Sequence, residues 1–276
     1  MSNNKTFKLV LTSLFAAIIV IMAFTPLGYI PLVVINATII HIPVILGSLF
    51  CGPKHGAVLG FLFGFTSFIK NTVTPASLSA FVFSPVLAFD TMGVSGIFKS
   101  AFICFVPRIL VGVVPYFIFL AVMQALLSEK KQVWNAVLNV LLGVFLFIGL
   151  RAFIGKWFEN MVAVSVVSCV IAVIVTALLL WAVAGKDSGV VAFAYAGVSG
   201  ALVNTLLVMG GIYVLYKEAY AVALGKEASA ILGVIGGVIS FNGVIEAIVA
   251  AIIVSGVGVA LNRVKPVAEK SKKASV

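Results

Sequence analysis

The stretch ILGVIGGVISFNGVIEAIVAAIIVSGVGVAL, residues 231–261, is the most revealing part of the chain. Its only charge is Glu246. A helix crosses a bilayer with about 20 apolar residues, and this run is longer than that. A strand of a membrane barrel would alternate apolar and polar positions, and this run does not. The helix therefore has hydrocarbon as its solvent, and Asn242 and Glu246 are the anomaly within it. A charged side chain at mid-bilayer costs at least ~2.5–3.5 kcal/mol on insertion scales, so it persists only against partners or water. Arg108, in the run Ile97–Leu127, and Asn204, in Gly189–Met209, repeat the pattern. These four residues point to a polar pocket inside a helical membrane protein.

Composition leads to the same place. The chain has 276 residues, of which 63% are hydrophobic and 9% charged, whereas soluble proteins carry about 25% charged residues. So little charge cannot cover a water-exposed surface. Helices satisfy their own backbone in lipid, which makes an all-α integral membrane protein the expected fold class, with residues 1–276 as a single membrane domain. The net charge of +10 reads as the cytoplasmic excess of basic loops rather than as a nucleic-acid surface. Cys51, Cys104 and Cys169 show neither a paired framework nor metal-ligand spacing. The first apolar run has no convincing cleavage site and reads as a retained helix.

Apolar runs place helices at about 7–24, 36–51, 55–69, 97–127, 133–154, 161–184, 189–209 and 231–261, about eight candidate membrane helices. The second and third are short for a full crossing. Thr25–Pro31, with two prolines and a glycine, breaks the first helix. The stretch 70–95 reads as a polar, proline-containing connection, and Tyr213–Lys226 as amphipathic or looped. Pro107 and Pro115 are expected to kink the fourth helix.

A cytoplasmic N-terminus puts Lys5, Lys8, Lys54, Lys130, Lys131, Lys186 and the basic tail 263–276 inside. Lys70, Lys99, Arg151, Lys156, Lys217 and Lys226 then fall outside, so the bias places both termini in the cytoplasm. In that topology Asn36, Thr38, His41, Asn71, Arg108, Asn204, Asn242 and Glu246 all lie in the outer half or near the midplane. The inner half is almost purely Val, Ile, Leu, Ala and Gly. The asymmetry suits a pocket open to the outside over a closed floor, and a channel would need polar lining on both sides.

Each residue also has a plainer reading. Arg108 and Glu246 either pair with each other across two helices or orient a ligand, with Arg108 facing a carboxylate. Asn204 and Asn242 serve equally as interhelical hydrogen-bond glue. His41 has no second histidine or cysteine at ligand spacing, so neither a metal nor a cofactor is expected. Gly56, Gly60 and Gly64, four apart, permit close helix packing. Thr12 and Ala16, with Ser13 and Ala17, form a small-residue stripe on the first helix, read either as bundle packing or as a docking face. No catalytic constellation stands in any helix, so the chain is read as a non-enzyme.

Several motifs then recur in a recognisable order. They are Leu27-Gly28-Tyr29-Ile30-Pro31, Ile35-Asn36-Ala37-Thr38-Ile39-Ile40-His41-Ile42-Pro43-Val44-Ile45, Gly52-Pro53-Lys54 with Gly56 and Gly60, Phe105-Val106-Pro107-Arg108-Ile109-Leu110, Asn204-Thr205 and Asn242-Gly243-Val244-Ile245-Glu246. In these the chain resembles the substrate-binding S component of energy-coupling factor (ECF) transporters, and most of all the pantothenate-type members. The resemblance implies a six-helix core over 1–127 and 189–262, which makes 128–188 an inserted transmembrane hairpin. It implies a subunit without its own ATPase that captures a vitamin outside, docks on a transmembrane T component with two cytoplasmic ATPases, and topples to release substrate inside. Thr12, Ser13, Ala16 and Ala17 map to the family's docking surface. The first outer loop, with Tyr29 and Pro31, maps to its gate. Arg108 or His41 would meet the pantothenate carboxylate, and Asn36, Asn204 and Asn242 its amide and hydroxyls. Riboflavin, stacked on Phe65, Phe68 and Phe81, is the second substrate reading. A stand-alone secondary transporter using Arg108–Glu246 as an ion-coupling pair is the other class.

Overall fold

In the computed structural model, which describes residues 2–31, 36–75, 77–155, 157–184 and 189–264, the apolar runs are helices. They are α1 (Ser2–Phe24), α2 (His41–Cys51), α3 (Pro53–Val73), α4 (Ala80–Phe83), α5 (Pro85–Met92), α6 (Val94–Leu127), α7 (Lys131–Ile154), α8 (Met161–Ala184), α9 (Gly189–Ala223), α10 (Ile231–Val238) and α11 (Val244–Val264). A π-helical turn, Ile239–Gly243, joins α10 to α11. Between α1 and α2 lie two short antiparallel strands, β1 (Tyr29–Pro31) and β2 (Asn36–Thr38), with Tyr29 opposite Thr38. Lys156, Lys186, positions 32–35 of the expected gate and the tail beyond Val264 lie outside the described residues, as do the side chains of Tyr29, Pro31 and Asn36.

Seven helices among the described residues are long and apolar enough to cross a membrane, counting Ala228–Arg263 as one. The protein is a multi-pass membrane protein. The eighth expected helix, α2, has 11 residues and rises only about 16 Å, half the hydrocarbon thickness. All of its residues are buried, because it lies among α1, α3, α6, α9 and α11. It plugs the bundle rather than spanning it.

Three boundaries differ from the sequence reading. The second helix does not begin at Asn36: residues 36–38 pair with β1, and the Thr38 amide leaves the helical pattern for Glu246. The connection 70–95 contains two short helices, α4 and α5, that pack on α3 and α6. Of Tyr213–Lys226, read as amphipathic or looped, only 224–226 form a turn, since α9 continues to Ala223. Tyr216 explains that continuity. It is buried, donates from its hydroxyl to Gly96 O at 3.1 Å and meets Phe81 edge-on, so packing carries the helix past Gly210 and Gly211. This corner forms a small second core with Val82, Ile103, Val208, Ile212 and Ile235.

The glycine ladder of α3 sets the interior. A Cβ on Gly56 would strike the carbonyl of Gly112, one on Gly60 that of Arg108, and one on Gly64 that of Cys104. The two helices thus run antiparallel in van der Waals contact, backbone against backbone, and the contact fixes the height of Arg108. Ser48 Oγ also donates to Gly112 O, at 2.5 Å. Gly112→Val is expected to cost about 1–3 kcal/mol, the range for overpacked interiors, because backbone carbonyls cannot rotate away. Thermal unfolding followed by size exclusion would show it as a lowered transition. An unchanged transition would contradict the close approach.

Helices α7 and α8 pack chiefly on each other. Along its length α7 also touches α6, α11 and the π-turn, while α8 touches α9.

Candidate functional site

Arg108 sits on α6 directly after Pro107. A proline has no N–H, so within a helix it leaves the carbonyl four residues earlier without its usual donor. Here that carbonyl belongs to Ile103, and Arg108 Nη1 donates to it at 2.6 Å. The proline therefore creates the acceptor that fixes the arginine. The guanidinium lies 5.4 Å from the centroid of the Phe63 ring and 5.1 Å from that of Phe83, a geometry in which ring quadrupoles favour a cation. Phe83 is held in turn, because Cys104 Sγ donates to its carbonyl at 3.0 Å. Arg108 is 6% exposed. A planar cation stacked on aromatic rings suits a carboxylate.

Glu246 is 5% exposed and has two protein donors. The backbone N–H of Thr38 donates to Oε1 at 2.8 Å, and the Thr205 hydroxyl donates to Oε2 at 2.8 Å. One carboxylate thus ties β2 to both α9 and α11. Arg108 and Glu246 are close enough to interact electrostatically, yet the hydrogen bonds described for each go to other groups.

The helix contacts show which way the asparagines face. A Cβ on Gly200 of α9 would meet Ile45 and Pro115, and one on Gly211 would lie 3.3 Å from Ile103. The face of α9 between those two points carries Asn204, so Asn204 passes the segment of α6 that holds Arg108. Asn242 stands inside the π-turn, next to Gly243, where a Cβ would come 3.0 Å from Thr205. The π-turn matters here because an extra residue in a turn rotates the side chains before it by about 100° relative to those after it. The offset falls on the side chains of α10, before the turn, relative to those of α11 that carry Glu246.

Several polar atoms are left over. Asn204 Oδ1, Asn242 Oδ1 and both ring nitrogens of His41 are buried and complete no hydrogen bond among the described residues, although the Thr38 backbone lies near the His41 ring. Burying one such group without a partner costs about 1–3 kcal/mol. Ser100 Oγ, Asn139 Oδ1 and Ser168 Oγ are in the same condition, and all of these atoms keep unused capacity for a polar partner. Asn71 has a local partner instead, donating from Nδ2 to Ser67 O of its own helix. Asn36 and Thr38 lie in β2, against the π-turn and α11.

Thr205, Phe63 and Phe83 complete the site, and neither spacing nor composition marks them as partners. The sequence signals are the dipeptide Pro107-Arg108 and, for Thr205, its place in the Asn204-Thr205 motif. The rings considered for stacking a flavin are already engaged. Phe61, Phe65 and Phe68 stack in a row along α3, with Phe105 against Phe61, while Phe81 meets Tyr216. Phe61 and Phe65 belong to the exposed surface. On α1, Ser13 and Ala17 are exposed and Thr12 and Ala16 half-buried. The opposite side of α1, with Phe15, Ile19 and Ala23, packs into the core.

Comparison with known proteins adds a second line. The family profile described as "ECF transporter, substrate-specific component" matches residues 7–184. The chain is similar to the pantothenic acid transporter PanT of Lactococcus lactis subsp. cremoris, 34% identical over 163 residues that cover 54% of this chain and 78% of that protein. It is also similar to the pantothenate transporter PanT of Leuconostoc mesenteroides subsp. mesenteroides, 36% identical over 119 residues, 41% of this chain and 51% of the relative. The chain thus spans about half the length of the second relative.

Proposed function

This chain belongs to the substrate-specific components of ECF transporters, and on that premise we propose that it captures pantothenate from the outer face of the cell membrane for an ATP-driven importer. The observation that supports this reading is Arg108, buried against Phe63 and Phe83, together with the buried, incompletely bonded polar atoms of His41, Asn204 and Asn242. Pantothenate has one carboxylate, one amide and two hydroxyls. In the proposed complex the carboxylate meets Arg108, and the amide and hydroxyls meet Asn204, Asn242 and, from β2, Asn36. The strands carrying Tyr29 and Pro31 form the gate, and Glu246 holds it to the bundle through Thr38.

The same reading assigns the remaining parts. Both termini face the cytoplasm. The bundle of α1, α2, α3, α6, α9 and the α10–α11 unit is the six-helix capture core, and 128–188 is added to it. The side of α1 with exposed Ser13 and Ala17 and half-buried Thr12 and Ala16 meets the transmembrane T component, whose two ATPases supply the energy. The chain itself performs no catalysis.

Equilibrium titration of the purified protein tests the substrate. Pantothenate is expected to bind in roughly the nanomolar range, about −12 kcal/mol, without ATP or partner subunits, and riboflavin not to compete. Tight riboflavin binding would overturn the substrate. Uptake that persists without partner subunits and ATP would return the reading to a secondary transporter.

A further inference from the structure

We propose that α7 is a positioning element for the substrate site, acting through the π-turn that carries Asn242. The inference rests on the pantothenate reading above for its functional consequence, and on separate contacts for its geometry. The π-turn 239–243 is held from two sides. On its inner side Gly243 lies against Thr205 of α9, and β2 also touches it. On its outer side the Phe241 ring stacks on Phe153 of α7, with centroids 5.6 Å apart and planes 25° apart. One turn earlier on α7, Gly149 lies so near the start of α11 that a Cβ there would strike Val244 Cγ1 and come 3.6 Å from Ile248 Cδ1.

These contacts bracket Asn242. Phe241 and Asn242 are adjacent, and Phe241 faces α7 while Asn242 is buried. A π-turn is rarely a helix's preferred state, and without outside support it relaxes to α by a slip of one residue. Such a slip turns the preceding side chains by about 100° and swings Asn242 off its direction. The Phe153–Phe241 stack and the close seat at Gly149 oppose that slip from the lipid side. Residues on a helix remote from Arg108 thereby set the aim of an asparagine in the site.

A double-mutant cycle on the full-length protein separates this from a general loss of stability. The variants are Phe153→Ala, Phe153→Tyr, Asn242→Ala and the combined Phe153→Ala/Asn242→Ala. The readouts are the pantothenate Kd and, without ligand, backbone hydrogen exchange over 236–246. Phe153→Ala is expected to weaken binding about tenfold, the scale of coupled neighbours, and to raise exchange in that segment. Phe153→Tyr keeps the ring and is expected to bind as the unmutated protein does. The combined variant is expected to bind no more weakly than Asn242→Ala alone. Gly149→Ala, which displaces α7 without removing a ring, is expected to raise exchange in the same segment. Additive losses in Kd, or exchange over 236–246 that neither Phe153→Ala nor Gly149→Ala alters, would overturn the proposal. If unmutated protein fails to bind pantothenate while Phe153→Ala still raises exchange, the substrate assignment falls and the support by α7 stands.

Discussion

Arg108→Ala is expected to weaken pantothenate binding at least about a hundredfold, since a buried hydrogen bond to a charged group contributes about 1.5–3 kcal/mol and an unpaired carboxylate must still be desolvated. The guanidinium is held by Ile103 O and by the rings of Phe63 and Phe83, so it meets a carboxylate already oriented. Arg108→Lys keeps a charge but lacks the planar fork, and is expected to recover only part of the loss. The truncation also strips Ile103 O of the donor that replaces the missing Pro107 N–H, so folding must be checked alongside. The alcohol analogue of pantothenate, which lacks the carboxylate, isolates the contact. The unmutated protein should bind that analogue weakly, and Arg108→Ala should weaken it little further. Equal losses for acid and alcohol would place the carboxylate elsewhere.

The second large effect concerns the hairpin. Glu246→Ala is expected to raise the dissociation rate of pantothenate by about tenfold or more, because it leaves two buried donors, the Thr38 N–H and the Thr205 hydroxyl, without an acceptor. Among the described residues the carboxylate is a hydrogen-bonded link between β2 and the α9–α11 pair. Its loss should let the strands part from the bundle, so hydrogen exchange over 36–40 should rise in the same variant. Glu246→Gln keeps an acceptor for Thr38 but turns an amide N–H₂ toward Thr205, and an intermediate rate is expected. A slower association with unchanged dissociation and unchanged exchange would instead make Glu246 a direct ligand contact, and the latch would be wrong.

The two variants also separate the transporter classes. An ion-coupling pair would make Arg108 and Glu246 act as one unit, with each single loss equal to the double loss. The hydrogen bonds described for them go to different partners, which predicts two distinguishable kinetic effects: one on affinity through the carboxylate, one on residence time through the hairpin.

Much of this architecture is legible in the order of residues. Low charge and long apolar runs force helices into lipid, because the backbone has no other partner there. The glycines at 56, 60 and 64 announce a close helix contact, since a repeat of four keeps them on one face. Arg108, Asn204, Asn242 and Glu246 announce an interior pocket by their cost in hydrocarbon alone. Such signals are local or compositional, so they survive in one dimension.

Tertiary structure decided which groups those residues face. Nothing in the spacing shows that Glu246 reaches the amide of Thr38, 208 positions away, or that Thr205 takes its other oxygen. Nothing shows that α2 is a buried plug with strands before it, or that Tyr216 draws α9 past two glycines. The π-turn is equally hidden: residues 239–243 read as ordinary helix, and the extra residue becomes favourable only where Phe153, Phe241 and Thr205 grip it from both sides. Residue type and spacing determine which polar groups must find partners in the membrane, but the partners lie on other helices, and only the packing of the bundle sets the distances between them.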